Sequence, residues 1–215
     1  MSYLFPYILI KTWQHLQLTF SAMFIASIIA IPLGIFLARK CSEKFSSAII
    51  RFVSILQTIP GLALIALVVV VLVFLYPFTS LPTTGFLPGV IVLSIYALLP
   101  LLSNSYIGIQ KVNPTMLEVA KGMGMNSSQS LYFVEIPLAL PVIIMGFRIA
   151  LIWTISCATL TALIGSGGLG DLIMQGLRSM QIEVILAGTI PAALLAIILD
   201  FIVSLLGKWL SRELV

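Results

Sequence analysis

From Phe52 to Gln110 the chain carries no Asp, Glu, Lys, Arg or His, and within that stretch residues 62–75 are apolar without a break. Such a segment has no face to turn toward water. Lipid is the solvent that accepts it, and about 20 mostly apolar residues are needed there to cross a hydrocarbon core about 30 Å thick. Every backbone N–H and C=O must then be satisfied inside the protein, so only helices and closed barrels cross. A barrel strand alternates polar and apolar residues over about ten positions, and residues 62–75 do not alternate. Composition extends the conclusion to the whole chain, because 60% of its 215 residues are hydrophobic and 8% charged, against roughly a quarter charged in a soluble domain. The expected fold class is all-α, a polytopic helical membrane protein.

Between Lys11 and Arg39 the one ionisable side chain is His15, and Ala26, Ala30 and Gly34 recur every four residues. That stripe lets a second helix approach closely, the main packing device where lipid supplies no hydrophobic drive. Residues 16–38 are long enough to span and are read as a retained first helix, not a cleaved signal. A basic turn, Arg39 to Lys44, follows. The uncharged stretch then holds two helices, separated by a Pro/Gly/Thr cluster over residues 76–85 that ends the second helix near Leu75. The third is expected over 87–107, the fourth over 142–163 and the fifth over 184–206. Residues 171–178 are too short to span and amphipathic, hence a re-entrant or interfacial helix. One transmembrane domain over residues 1–215 is expected. Cys41 lies beside the basic turn and Cys157 inside an apolar run, so neither a disulfide framework nor a metal cluster is indicated.

Five helices put the two termini on opposite sides, and the distribution of basic residues chooses between the two orientations. With the N-terminus outside, the inner segments hold Arg39, Lys40, Lys44, Arg51, Lys111, Lys121, Arg148, Lys208 and Arg212, while the outer ones hold Lys11 and Arg178. The mixed polar stretch 111–141 therefore faces the cytoplasm, as does the C-terminus. Asn113-Pro114 supplies an N-cap and a first-turn proline for a short helix there. Lys121 suits its last turn, and Gly122 and Gly124 suit a left-handed end. Asn126 with Gln129 opens a second short helix as a capping box, and Pro137 and Pro141 punctuate the return to the membrane. Two short helices joined by a glycine turn make a loop suited to docking.

Within this loop, Glu118-Val119-Ala120-Lys121-Gly122-Met123-Gly124 followed by Val134-Glu135-Ile136-Pro137 resembles the "EAA" motif of ABC importer permeases, which reads Glu-Ala-Ala, three residues, Gly, nine residues, then Ile-x-Leu-Pro. Val119 replaces the first alanine, and Val134 and Ile136 replace Ile and Leu, with the spacing intact. The resemblance implies the type I ABC importer permease fold, with the loop as a coupling element seated in a separate ATPase subunit. Glu118, Ala120 and Gly124 would be at its centre, closed by Ile136 and Pro137. A second run, Gln57-Thr58-Ile59-Pro60-Gly61-Leu62-Ala63-Leu64, together with Ile164-Gly165-Ser166-Gly167-Gly168-Leu169-Gly170, is similar to permeases of the osmoprotectant subclass. Members of that subclass import quaternary amines such as glycine betaine, carnitine and choline, and related permeases for amino acids and sulfonates share parts of these runs. The implied assembly has two permease chains, read as a homodimer, two ATPase subunits and an extracytoplasmic solute-binding protein.

No G-x-x-x-x-G-K-[ST] run is present to cradle phosphates. The expectation is a non-catalytic subunit with no cofactor of its own, ATP and Mg²⁺ being bound by the partner. Nucleic acid is not expected as a partner, because the basic residues are grouped by membrane side. Candidate pathway or gate residues are Gln57, Thr58 and Pro60, where proline would kink the second helix and free carbonyls to line the pathway. Trp153, read either as a cation–π contact or as packing, and Gly165, Gly167, Gly168 and Gly170, read either as a flexible outer loop or as a segment that shifts, complete the set. Asp200 is read as snorkelling or pairing locally near Lys208, and His15 as an interfacial polar residue. An ion-coupled transporter would carry more intramembrane ionisable groups or paired broken helices. An intramembrane hydrolase would need a base beside its nucleophile, or two buried Asp.

Overall fold

The computed structural model describes residues 4–213. Nine α-helices are described: α1 Leu4–Lys40, α2 Glu43–Thr58, α3 Gly61–Thr79, α4 Phe86–Gln110, α5 Pro114–Gly122, α6 Ser127–Ser130, α7 Ile136–Thr161, α8 Leu169–Ser179 and α9 Ile182–Glu213. A π-helical turn, Leu131–Glu135, joins α6 to α7, and a 3-10 turn, Ala162–Ile164, follows α7. Among the described residues five spans are long and apolar enough to cross a membrane: Phe5–Lys40, Gly61–Thr79, Phe86–Gln110, Ser127–Ile164 and Ile182–Leu210.

The bundle is built on α1, α4 and α7. Met23, Ala26, Ala30 and Leu37 of α1 are buried with Ala97, Leu101, Leu102 and Tyr106 of α4 and with Ala150, Leu151 and Ile155 of α7. Small residues make this possible. A Cβ on Gly34 would stand 2.7 Å from the Ser105 Cβ and 2.8 Å from the Leu102 carbonyl oxygen, and one on Gly146 would stand 2.5 Å from the Asn104 Cβ. The helix backbones meet at these glycines, and dispersion at short range replaces the hydrophobic drive that lipid withholds. The outward faces remain apolar, as with Phe24, Phe74 and Ile197, which is the arrangement lipid requires.

Four boundaries differ from the sequence expectation. The first helix begins at Leu4 instead of residue 16, and its polar side chains Lys11, Gln14 and His15 have partners in Asp171, the Gly168 N–H and the Ile155 carbonyl. The second helix is not kinked but broken in two. Ile59 (φ −68°, ψ 124°) and Pro60 (φ −55°, ψ 142°) are extended, and α2 before them is amphipathic, its Ser46, Ile49, Ile50 and Val53 turned toward the bundle. Ser46 Oγ donates to the Leu37 carbonyl at 3.0 Å, fastening α2 to the end of α1. The fourth span starts at Ser127, not 142. Pro137 has no N–H for an α-turn, and the helix meets it with a π-turn in which Ile136 N–H donates to the Leu131 carbonyl. The fifth span runs on to Leu210, past the expected 206, and its helix α9 to Glu213. The side chain of Arg212, counted above with the inner basic residues, lies outside the described ones.

The short helix expected at 171–178 is α8, Leu169–Ser179. It folds back on α9 through Leu169, Leu172 and Val184. A Cβ on Gly176 would meet the Ile185 N at 2.6 Å, and one on Gly188 the Ile173 Cγ1 at 2.7 Å, so the hairpin closes glycine to backbone on both sides.

Candidate functional site

The loop after α4 is a rigid object. Asn113 Oδ1 accepts from Thr115 N–H at 3.0 Å, and Pro114 opens α5 where no N–H partner is needed. At the other end Gly124 N–H donates to Lys121 O (2.9 Å) and Met125 N–H to Ala120 O (3.1 Å). This crossed pair is a Schellman closure, and it requires the left-handed φ of +79° at Gly124. Gly122, expected to share that role, instead completes α5. Asn126 Oδ1 accepts from Ser128 and Gln129 N–H, and Gln129 Oε1 accepts from Asn126 N–H at 2.8 Å, the expected capping box. The second short helix is not separate, however, since it continues through the π-turn into α7.

The motif residues divide between two faces. Glu118 is exposed beside Met116, Val119 and Met123, an apolar strip at helical spacing with a carboxylate on its edge. Ala120, 1% exposed, faces the body of the protein, and Ile136 packs with Ile109, Ala139 and Ile143. Pro137 is half-buried in the first turn of α7. Glu118 and Gly124 are thus on the presented side, while Ala120, Ile136 and Pro137 seat the loop.

Two residues that sequence reasoning passed over hold the loop's root. Arg39, at the end of α1, donates through Nη2 to the Ser127 carbonyl (2.7 Å) and Oγ (2.9 Å), and its Nε lies 3.1 Å from Glu135 Oε2. Ser130 Oγ donates to Glu135 Oε1 at 3.1 Å. Glu135 is 5% exposed. Arg39 had counted only as an inner charge, and Glu135 occupies the variable position of the motif; a lone acid at the edge of an apolar run was the available signal.

At the break between α2 and α3 the Ile59 carbonyl is already taken. Tyr96 OH donates to the Ile59 carbonyl at 2.9 Å. The Tyr96 carbonyl itself loses its helical donor to Pro100, and Gln57 Nε2 donates to it at 2.7 Å. The break and α4 are therefore laced together, and the Ile59 carbonyl is occupied by Tyr96. Thr58 is exposed, its Oγ1 bonded to the Ile55 carbonyl at 2.7 Å. Trp153 is 52% exposed on an outer face of α7 with Ile149 and Ile152, apart from the core.

The glycine run is a packed turn. Gly168 N–H donates to Gln14 Oε1 at 3.2 Å, and Gly165, Gly167 and Gly168 all have positive φ. A Cβ on Gly168 would meet the His15 Nδ1 at 3.0 Å, and one on Gly170 the Thr159 carbonyl oxygen at 2.2 Å. Lys11 and Asp171 pair at 2.5 Å across the same contact. His15 is fully buried, not interfacial, and its Nε2 bonds the Ile155 carbonyl at 3.1 Å. Asp200 finds a bidentate partner on another helix. Arg148 of α7 meets it with two bonds, of 2.8 and 2.9 Å, because the α9 face that carries Asp200 turns toward α7.

Residues 30–215 match the family described as the binding-protein-dependent transport system inner membrane component. A carnitine transport permease protein of Listeria monocytogenes is 42% identical over 194 residues, covering 90% of this chain and 84% of that protein. A glycine betaine/carnitine/choline transport system permease protein of Bacillus subtilis is 41% identical over 197 residues, covering 92% and 85%. An osmoprotectant import permease protein of Salmonella typhimurium is 36% identical over 209 residues, covering 96% and 93%. Among solved structures, an inward-facing methionine ABC transporter has a TM-score of 0.74 at 22% identity over 97% of each chain.

Proposed function

Because the chain belongs to the family of inner membrane components of binding-protein-dependent transport systems, we propose that it forms the import pathway for a small quaternary amine and draws its energy from a separate ATPase subunit. The observation that carries the coupling role is α5, a short helix capped at both ends and held clear of the bundle with Glu118, Met116, Val119 and Met123 outward. An apolar strip with one carboxylate suits a cleft of a soluble subunit, and the Schellman closure at Gly124 keeps its angle constant while load passes through it. The substrate class rests on relatives named for carnitine, glycine betaine and choline transport.

In this reading the loop and the C-terminus are cytoplasmic and the N-terminus is outside, the orientation that gathers the basic residues inside. Two copies of the chain enclose the pathway, and an external binding protein delivers solute. ATP and Mg²⁺ stay with the partner, whose closure draws the two coupling loops together and turns the pathway outward. The cargo carries its charge shielded by methyl groups. It therefore needs aromatic and polar surface more than a counter-ion, which Trp153, Thr58 and Gln57 supply.

Uptake of labelled glycine betaine, carnitine and choline by the reconstituted complex tests the proposal, with Glu118→Lys and Gly124→Asp as variants. Uptake that requires ATP and is abolished by both changes, with insertion intact, supports it. Uptake that survives both, or that runs on an ion gradient without an ATPase partner, overturns it.

A further inference from the structure

The coupling loop is tied to the bundle in two ways of unequal stiffness. One is the π-turn, Leu131–Glu135, through which α6 runs into α7. Turns of this kind are rare, occur mostly as single bulges inside α-helices, often at functional positions, and are among the places where helices kink, so a load on the loop bends the chain there first. The other is the Arg39 guanidinium. It grips Ser127 at the start of α6 through two bonds of 2.7 and 2.9 Å, and Glu135 at the end of the π-turn at 3.1 Å, with Ser130 holding the second carboxylate oxygen. Arg39 thus spans α6 and the π-turn together, joining Ser127 ahead of the turn and Glu135 at its end to α1. A planar guanidinium fork does this with fixed geometry, as a lysine would not. Beyond it, α1 is packed along Ala26, Ala30 and Gly34 against α4, so a displacement delivered to Arg39 reaches the centre of the bundle.

We propose that Arg39 and Glu135, with Ser127 and Ser130, are a positioning pair that splints the π-turn, so that movement of the coupling loop tilts α1 instead of flexing the loop's root. The inference rests on the coupling role proposed above and adds the residues that transmit it.

The test is solute taken up per ATP hydrolysed, in the reconstituted complex, for wild type, Arg39→Gln, Glu135→Gln and the charge reversal Arg39→Glu with Glu135→Arg. The single variants are expected to assemble with the ATPase subunit and hydrolyse ATP as wild type does, but to lose roughly tenfold in uptake per ATP, within the range usual for coupling between sites. The reversal keeps the ion pair but loses the bond to the Ser127 carbonyl, because a carboxylate at position 39 only accepts, and it is expected to regain only part of that loss. An unchanged ratio in the single variants overturns the proposal, as does a reversal with the full wild-type ratio, which would leave no part for the Ser127 bonds. So does a fall in uptake that only tracks the protein recovered, since that is a folding defect.

A second readout does not depend on transport. Nitroxides at Thr115 and Phe36, in a background with Cys41 and Cys157 replaced by serine and the labelled chain diluted with unlabelled chain, report the separation of α5 from α1. The distance distribution is expected to broaden in Arg39→Gln, and an unchanged distribution overturns the splint whatever the complex transports. A wild-type complex that takes up no amine with ATP defeats the coupling reading instead, and is told apart by that outcome.

Discussion

Replacing Gly34 by alanine adds one methyl group where α1 crosses α4, and the structure sets its cost. The new carbon would lie 2.7 Å from the Ser105 Cβ and 2.8 Å from the Leu102 carbonyl oxygen, whereas non-bonded carbons rest about 3.5–4.0 Å apart. Both obstacles are main chain or its first side-chain atom, so neither rotates away. The helices must separate by about 1 Å, which also loosens Ala26, Ala30 and Leu37 from Ala97, Leu101 and Leu102. Overpacking a close-fitted core costs about 1–3 kcal/mol, and the rigidity of these neighbours puts Gly34→Ala near the upper end. At about 2–4 °C per kcal/mol for a chain of this size, the melting midpoint in detergent should fall by roughly 6–12 °C. Gly122→Ala is the control. Nothing lies within 4 Å of the added carbon there, and a glycine-to-alanine change inside a helix gains up to about 1 kcal/mol. Fluorescence-detected size-exclusion after a heating series measures both. A Gly34→Ala protein that melts with wild type, or below which Gly122→Ala falls, would refute the close-crossing account.

The Arg148–Asp200 pair should show an asymmetric response. Asp200→Leu alone strands an arginine in the bundle, where a charge costs about 2.5–3.5 kcal/mol at mid-helix and less with snorkelling, while Arg148→Met with Asp200→Leu is expected to melt close to wild type. The same heating series checks it, and equal losses in single and double variants would argue that the charges have a role besides each other. Tyr96→Phe removes the donor to the Ile59 carbonyl at the helix break and should cost about 1–3 kcal/mol for the orphaned group. Alkylation of a cysteine placed at Thr58 should quicken in that variant as the break loosens; an unaltered rate would mean that the lacing does not hold it.

The five spans were legible because lipid imposes one rule on every residue of a crossing helix, and the stretch from Phe52 to Gln110 obeys it without exception. The Ala26–Ala30–Gly34 stripe was legible for the same reason, since small residues at a spacing of four have one packing use in lipid. Caps were legible too. Asn113, Pro114, Asn126 and Gln129 act on neighbours along the chain, and the local geometry that they specify formed as expected.

What failed did so where the partner lies far along the chain. Proline at position 60 announced an irregularity, but not that the chain would be extended at Ile59 and Pro60, with Tyr96 of another helix bonded to the Ile59 carbonyl. Asp200 invited a partner one or two turns away, while the bidentate one stands 52 positions earlier. For the glycine run, the sequence did not say that Gly167, Gly168 and Gly170 let Gln14, His15 and Thr159 come within contact of the backbone.

Hydropathy and capping act between residues a few positions apart, so the sequence alone determined that this chain crosses a membrane, how many times, and which loop folds into capped short helices. Which faces of those helices meet is a property of the assembled bundle. Only the tertiary structure decided that Arg39 grips Ser127 and Glu135, that Gln57 serves the carbonyl freed by Pro100, and that Arg148 answers Asp200, because a charged or polar group in low dielectric must find a partner and the chain order does not say where.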